Sequence, residues 1–508
     1  MRSKKAIYNV LTNLLLQLIS IVYGFIVPKI IISNFGSNVN GLISSITQFL
    51  AYITLLESGF GPVVKSILYK PIASKDKNTI AKILKASEKF FKTISYIFIG
   101  YIIILSLIYS TLINNDYEFI YTFSLIIIIS ISTFAEYYFG MTYRLYLQAE
   151  QKAYIISLIQ IITYILSILL VIILAKVGCS IHSIKLVSGL IFVLRPIMQN
   201  IYVKKKYNIN LKGIDNNYKI EQKWDGLAQH IAAVIHSNTD ITVLTFFTTL
   251  AEVSVYSVYY LVVNGVIRLV QVFSSGLDAG FGDMIVKKEN ANLNKKFSMY
   301  EVIYYTLITI IFTCTIILIV PFISIYTKGI TDANYIRYKF GYLIVISEFI
   351  WAVRLPYSSL TLAAGHFKQT RIGAWVECLS NLLLSIILVK RYGIIGVTIG
   401  TIVAMFIRTI EFVYHSNKYI LNRNLLISVK KIILIIIETM LIVFISKYLP
   451  YLENINYLNW IINAIMVSVV ACIFVIPINY IFYKNEFIEL VKTLKSIISR
   501  KRKYNAKN

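Results

Sequence analysis

Long apolar blocks, repeated from one end of the chain to the other, constrain this sequence more than any other feature. Each runs for about 18 to 28 residues, the length a helix rising about 1.5 Å per residue needs to cross a hydrocarbon layer of roughly 30 Å. Inside such a layer every backbone N–H and C=O must be satisfied within the segment, and for blocks of this length that means helix. A core helix of a soluble protein is shorter and apolar on one side only. Charged residues make up 15% of the chain and hydrophobic ones 57%, against roughly 25% charged in soluble domains. A soluble globular class is excluded.

About fourteen spans are expected, all α-helical. The second is expected over Gly41–Ile67, the third over Thr93–Ile113 and the eighth over Val253–Phe281. The first is too long for a secretory h-region and no small-residue cleavage site follows it, so it stays as the first helix. The net charge of +26 raises a nucleic-acid reading, but the placement of the charge answers it. With Met1 in the cytoplasm, about 37 Lys and Arg fall in inner segments, about 8 outside and about 5 within spans, the asymmetry of the positive-inside rule. Both termini are expected in the cytoplasm, in a bacterial cytoplasmic membrane, and no nucleic-acid partner is expected. Cys179, Cys314, Cys378 and Cys472 show neither metal-ligand spacing nor a disulfide framework.

The chain repeats itself. Leu147-Gln-Ala149 through Lys176-Val-Gly178 returns as Leu362-Ala-Ala364 through Arg391-Tyr-Gly393, a shift of about 215 residues. Glu57-Ser-Gly59-Phe-Gly61 returns as Asp278-Ala-Gly280-Phe-Gly282, each followed by Lys65 or Lys287. Two six-helix lobes in parallel orientation around a central cavity are therefore expected. Their bounds are 1–203 for the N-lobe, 204–224 for a basic cytoplasmic linker and 225–416 for the C-lobe. Residues 417–483 form a two-helix appendage and 484–508 a basic amphipathic tail. The tail and the amphipathic stretch Ile80–Phe91, with Lys77, Lys82, Lys85 and Lys89 opposite its apolar side, are expected at the membrane surface against anionic lipid.

Polar residues at helical spacing inside a span face protein or water rather than lipid. Span one carries Asn13, Gln17, Ser20 and Gly24; span two Ser45, Gln48 and Tyr52; span seven Gln229, His236 and Asp240; span eight Asn264, Arg268, Gln271 and Ser275. Such stripes either line a wet cavity or glue helices together. Charges cost more, roughly 2.5 to 3.5 kcal/mol each at the centre of a span. Arg268, on the polar stripe and well inside the apolar stretch, is expected to serve function rather than packing, with Asn264, Gln271, Arg354 and Arg195 as further candidate substrate contacts. Arg195 and Arg408 hold near-equivalent places in the two lobes, where a structural role competes, and Lys185 can snorkel. Glu136 with Arg144 and Glu348 with Arg354 are expected to pair. Asp240, sharing a face with His236, is the candidate for cation coupling, by H⁺ or Na⁺, against a fixed salt bridge to Arg268. Glu57, Gly59, Gly61, Asp278, Gly280 and Gly282 are expected to gate or hinge the inner span ends.

Asn34-Phe-Gly36, Gly41-Leu42, Glu57-Ser-Gly-Phe-Gly61, Asp240, Val253-Ser-Val-Tyr256-Ser, Ala364-Gly365, Asn381 and Gly393-Ile-Ile-Gly396-Val397 together resemble the polysaccharide-export flippases of the multidrug/oligosaccharidyl-lipid/polysaccharide (MOP) exporter superfamily. The resemblance covers the first twelve spans. It departs at Asp278-Ala-Gly-Phe-Gly-Asp283, where many relatives carry a proline. It implies a cavity facing the two sides of the membrane in turn, and undecaprenyl-pyrophosphate-linked oligosaccharide as cargo for capsule, exopolysaccharide or other surface-glycan assembly. It also implies a polysaccharide polymerase and other assembly proteins as partners, and a pyrophosphate contact at Arg268. The alternative is a cation-coupled multidrug exporter of the same superfamily, whose cavity would be acidic or aromatic. A membrane-embedded polymerase or glycosyltransferase fits less well, because no outer segment exceeds about a dozen residues. No enzymatic activity and no bound cofactor are expected.

Overall fold

The computed structural model describes residues 2–57, 59–113, 116–207, 209, 211, 214, 227–274, 278–450, 452 and 456–505. Among these the protein is all-helical. In chain order the helices are α1 (Arg2–Phe35), α2 (Ser37–Ala51), α3 (Thr54–Glu57), α4 (Phe60–Ser74), α5 (Lys77–Leu112), α6 (Phe119–Ala135), α7 (Met141–Ala149), α8 (Ala153–Lys176), α9 (Ile181–Tyr207) and α10 (Leu227–Phe247). There follow α11 (Leu250–Ser274), α12 (Asp278–Val286), α13 (Asn290–Tyr326), α14 (Tyr338–Ala363), α15 (Arg371–Tyr392), α16 (Ile394–His415), α17 (Leu425–Ser446), α18 (Tyr457–Phe482) and α19 (Lys484–Asn505). Single π-helical turns, Glu136–Gly140 and Ser416–Ile420, follow α6 and α16.

Among the described residues twelve spans are long and apolar enough to cross a membrane. The other two of the expected fourteen are α10, of 21 residues, and α17, of 22 residues, which carries Lys430, Lys431 and Glu438. The protein is a multi-pass membrane protein. Its helices fall into two compact units, residues 1–245 with 249–254, and residues 246–248 with 255–508.

In the first unit, Asn9 ties the start of α1 to α8. Its carboxamide oxygen accepts from the Tyr154 N–H at 2.8 Å and its amide donates to the Gln151 carbonyl at 3.1 Å. The expected second span is broken rather than continuous: Gly59 adopts φ 78°, a left-handed conformation outside any right-handed helix, and ends α3 before α4 begins. The expected third span is longer than its apolar block. α5 runs 36 residues from an Asp76 cap, whose carboxylate accepts from the Thr79 N–H at 3.0 Å. The amphipathic stretch is therefore the first half of α5. Its apolar face, Ile80, Ile83, Leu84 and Phe91, is buried, with Phe90 stacked on Phe60 of α4 at 3.6 Å between centroids. That face is covered by protein.

α10 packs on α2 through a polar seam. Gln48 donates to Asn238, the Tyr52 and Thr242 hydroxyls lie 3.0 Å apart, and Thr245 donates to Ser45 at 2.8 Å. Ser45 also accepts from the Tyr109 hydroxyl at 2.6 Å. The stripe of the second span is thus helix-packing glue. At the end of this seam a Cβ on Gly41 would stand 1.8 Å from the Leu250 carbonyl oxygen, so only glycine fits.

In the second unit α15 and α16 make the tightest pair. A Cβ at Gly396 would lie 2.3 Å from the Leu388 carbonyl oxygen, and one at Gly400 2.7 Å from Ser385 Oγ. This is the small-residue spacing that lets membrane helices approach closely. The last two spans are built into the unit. Ile442 of α17 clusters with Ala471 and Val475 of α18, and Ile310, Cys314 and Ile317 of α13 pack against that cluster. The Trp460 indole N–H donates to the Leu318 carbonyl at 3.2 Å, and the Asn479 amide donates to Glu438 at 2.6 Å.

Candidate functional site

The second unit contains a groove of about 940 Å³ walled by α13, α14, α16, α17 and α18. Twelve of its twenty lining residues are Ile, Leu, Val, Phe or Met, among them Phe349 of α14, Phe406 of α16 and Ile436 and Met440 of α17. Ser446, Lys447, Trp460 and Asn463 lie where α17 ends and α18 begins. An apolar concavity with a Trp and a Lys at one end matches a long hydrocarbon whose polar end sits at the membrane interface. No sequence motif marks it, since its walls come from helices far apart in the chain.

Beside it lies a buried ion network. The groove-lining Val353 and Thr409 are chain neighbours of Arg354 and Arg408. Arg354 Nη1 stands 2.5 Å from Glu377 Oε1 of α15, and Arg408 Nε 3.4 Å from Glu377 Oε2. Arg408 also bonds Glu411 and donates to the Thr370 carbonyl at 2.9 Å. Two guanidiniums and two carboxylates make a neutral cluster, which answers the desolvation of each charge. The expected pair Glu348–Arg354 is thus replaced by Arg354–Glu377. Six residues along a helix turn the side chain by about 240°, away from its would-be partner. Glu136 and Arg144 do pair, at 3.3 Å, across the π-helical turn that Glu136 opens.

Arg195, the counterpart of Arg408 in the first unit, is held differently. Its Nε donates to Thr163 Oγ1 at 2.7 Å, and its guanidinium lies 4.3 Å from the Tyr164 ring centroid and 4.0 Å from that of Phe192. Among the described residues no carboxylate lies within 4 Å of it, and its Nη2 is buried without a hydrogen-bond partner. An aromatic box around a cation with an unspent donor is suited to a phosphate oxygen.

Of the other expected contacts, Asn264 and Arg268 are half-buried on α11, one turn apart, and Gln271 is exposed. Asp240 is 8% exposed on α10. It lies about 200° around the helix from Asn238, away from the seam with α2. The His236 side chain is outside the described residues. Glu57 accepts a hydrogen bond from the Tyr137 hydroxyl at 3.1 Å, and Gly61 sits 3.7 Å, by its ideal Cβ, from Glu57 Oε1. Gly59 makes the left-handed turn between α3 and α4. Gly280 and Gly282 lie in α12, and the Asp278 side chain is outside the described residues.

A second buried cluster has no counterpart in the sequence-based expectations. Glu301 of α13 is 0% exposed and accepts from Lys431 of α17 at 2.6 Å, from Arg423 at 3.0 Å and from the Tyr357 hydroxyl. Arg423 Nε donates to Asn417 in the π-helical turn at 2.6 Å, and Lys431 also donates to Ser298 at 2.8 Å. The sequence does carry a trace of it, a Lys one turn into an apolar block of spanning length. Its partner is 130 residues away.

No protein-family model matches the chain, and no curated protein does at the level of sequence. Solved structures do. The lipid II flippase MurJ in an inward closed conformation matches with a TM-score of 0.68 at 17% identity, over 94% of this chain and 99% of that one. A multidrug resistance MATE family transporter of the MOP superfamily, inward-facing, matches with a TM-score of 0.58 at 14% identity, over 78% of this chain and 94% of that one. A MOP superfamily transporter from Pyrococcus furiosus, described as having a binding pocket of reversed polarity, matches with a TM-score of 0.53 at 11% identity, over 81% and 94%. This chain therefore has the fold that the lipid II flippase and the multidrug transporters of the MOP superfamily share.

Proposed function

We propose that the protein is a flippase for lipid-linked oligosaccharide, carrying an isoprenoid-pyrophosphate-linked glycan unit across the cytoplasmic membrane by alternating access. The observation that carries this reading is the apolar groove, which offers a long hydrocarbon a continuous wall from α13 to α18. A water-soluble organic cation has no use for such a wall. Arg268, half-buried on α11 of the second unit, is the proposed contact for the pyrophosphate, because guanidinium forks match phosphate oxygens; Arg195, with a donor unspent, is proposed separately as a phosphate contact of the first unit. Arg354 and Arg408 spend their charge on Glu377 and Glu411, and we give them the role of holding α14, α15 and α16 together. Asp240 is the proposed coupling carboxylate, exchanging H⁺ or Na⁺ as the protein cycles.

The test is reconstitution into proteoliposomes with a fluorescent polyprenyl-pyrophosphate oligosaccharide and a membrane-impermeant quencher. Wild-type protein should carry inner-leaflet label to the outer leaflet, where the quencher reaches it, and Ile436→Trp, which fills the groove, should slow that at least tenfold with unchanged thermal stability. Equal rates with and without protein would end the reading. Expulsion of organic cations without lipid movement would put the multidrug exporter in its place.

A further inference from the structure

α19 follows the spanning helix α18 after a single residue, Tyr483, so it emerges at the membrane surface. Over Lys484–Lys495 its acidic residues are Glu486 and Glu489, and both are engaged with α13. Lys295 and Lys296 each reach Glu489 at 2.8 Å, Ser298 donates to Glu486 at 2.9 Å, and Lys296 also donates to Thr493 at 2.9 Å. At about 100° per residue, positions 486, 489 and 493 share one side of the helix, and positions 484, 488, 491 and 495 lie opposite. The residues there are Lys484, Ile488, Val491 and Lys495, and all four are exposed. Lys492, also exposed, flanks them, and the sequence runs on into Arg500-Lys-Arg-Lys503.

The helix thus turns its carboxylates to the protein and its remaining cations and two bare aliphatic side chains away from it. We infer that this outer face of α19 binds an anionic membrane surface. The lysines meet lipid phosphate and Ile488 and Val491 enter the acyl boundary, while the acidic face stays clasped to α13. Lipid is favoured over an acidic protein because the helix leaves the membrane at its own first turn and because the exposed face mixes cations with aliphatics. The inference is independent of what the protein transports.

The test uses the full chain in nanodiscs of phosphatidylcholine alone and of phosphatidylcholine mixed with phosphatidylglycerol, with backbone amide exchange followed over residues 484–495. Anionic lipid should slow exchange, and Lys484→Glu/Lys495→Glu should abolish that response, since removing two lysines alone weakens surface binding roughly thirtyfold and reversing them weakens it further. Glu489→Gln should speed exchange in both lipids yet keep the difference between them. If the charge-reversed protein fails to fold, Lys484→Gln/Lys495→Gln should lose the response in part. Equal exchange in the two lipids, or a lipid response that survives the double reversal, overturns the inference. Protection that comes only with added polyglutamate, and not with phosphatidylglycerol, overturns it in favour of an acidic polypeptide.

Discussion

Glu301→Gln is the sharpest perturbation of the second unit. The native carboxylate is wholly buried and accepts from Lys431, Arg423 and Tyr357. Lys431 is 2% exposed and Arg423 nearly as well covered. Glutamine keeps one acceptor oxygen and no charge, so two cations are left in a low-dielectric setting with no carboxylate. Breaking a buried pair from one side costs about 3 to 5 kcal/mol, mostly the penalty of the orphaned charge. For a unit of this size each kcal/mol moves the midpoint by roughly 2 to 4 °C, so a loss of roughly 10 °C is expected. Detergent-solubilised protein, heated and passed over a size-exclusion column with fluorescence detection, gives the midpoint. Lys431→Met removes one cation and leaves Glu301 paired with Arg423, so it should cost less. The double variant Glu301→Gln/Lys431→Met should recover part of the loss relative to additivity. A midpoint for Glu301→Gln within about 2 °C of wild type would refute the argument, because the cations would then have found solvent or another partner.

Further outcomes follow from other parts of the molecule. Gly396→Leu drives a side chain into the Leu388 carbonyl and should abolish monodisperse protein, read by size exclusion, whereas Gly265→Ala, with open space at its Cβ, should not. Arg195→Ala should lower lipid translocation at least tenfold, and Arg195→Lys, lacking the planar fork, should recover little of it. Lys295 and Lys296 hold the Glu489 carboxyl down to about 2, below the ordinary value near 4.3. A depressed carboxylate stabilises the docked helix above its unfolded pKa and loses that contribution as pH falls through its folded one. Clasping of α19 should therefore be full at neutral pH and weaken from about pH 4.5 towards about pH 2, seen as rising proteolytic sensitivity of the tail; constant sensitivity would count against the clasp. Glu489→Gln should remove most of that pH dependence.

How far the fold could be read from sequence depended on whether the cause was local. Block length alone foretells the spanning helices, because the hydrocarbon layer sets it. Gly59 and Gly61 stand out in sequence as a hinge, yet the span reads as continuous through them, because the break follows from a left-handed dihedral that residue type alone does not fix. The π-helical turns left no trace, since they arise from how a helix end meets its neighbours. Ser45, Gln48 and Tyr52 were visible as a stripe, yet periodicity cannot tell a wet face from one that meets Thr245, Asn238 and Thr242. Glu377 carries no sequence signal as the partner of Arg354, since it lies on the next helix while Glu348 sits in the same span. The groove lay beyond reach altogether, as a shape made by five helices has no linear pattern.

One hydroxyl joins the buried Glu301 cluster to the terminal helix α19. Ser298 Oγ accepts from Lys431 and donates to Glu486, so the same atom closes the buried cluster and holds the terminal helix. Each of these bonds polarises the other. By thermodynamic reciprocity, whatever free energy the Ser298–Glu486 bond lends the Ser298–Lys431 bond is returned in equal measure. α17 is also a wall of the groove. The terminal helix is thus one hydrogen-bonded serine removed from a helix that walls the apolar groove.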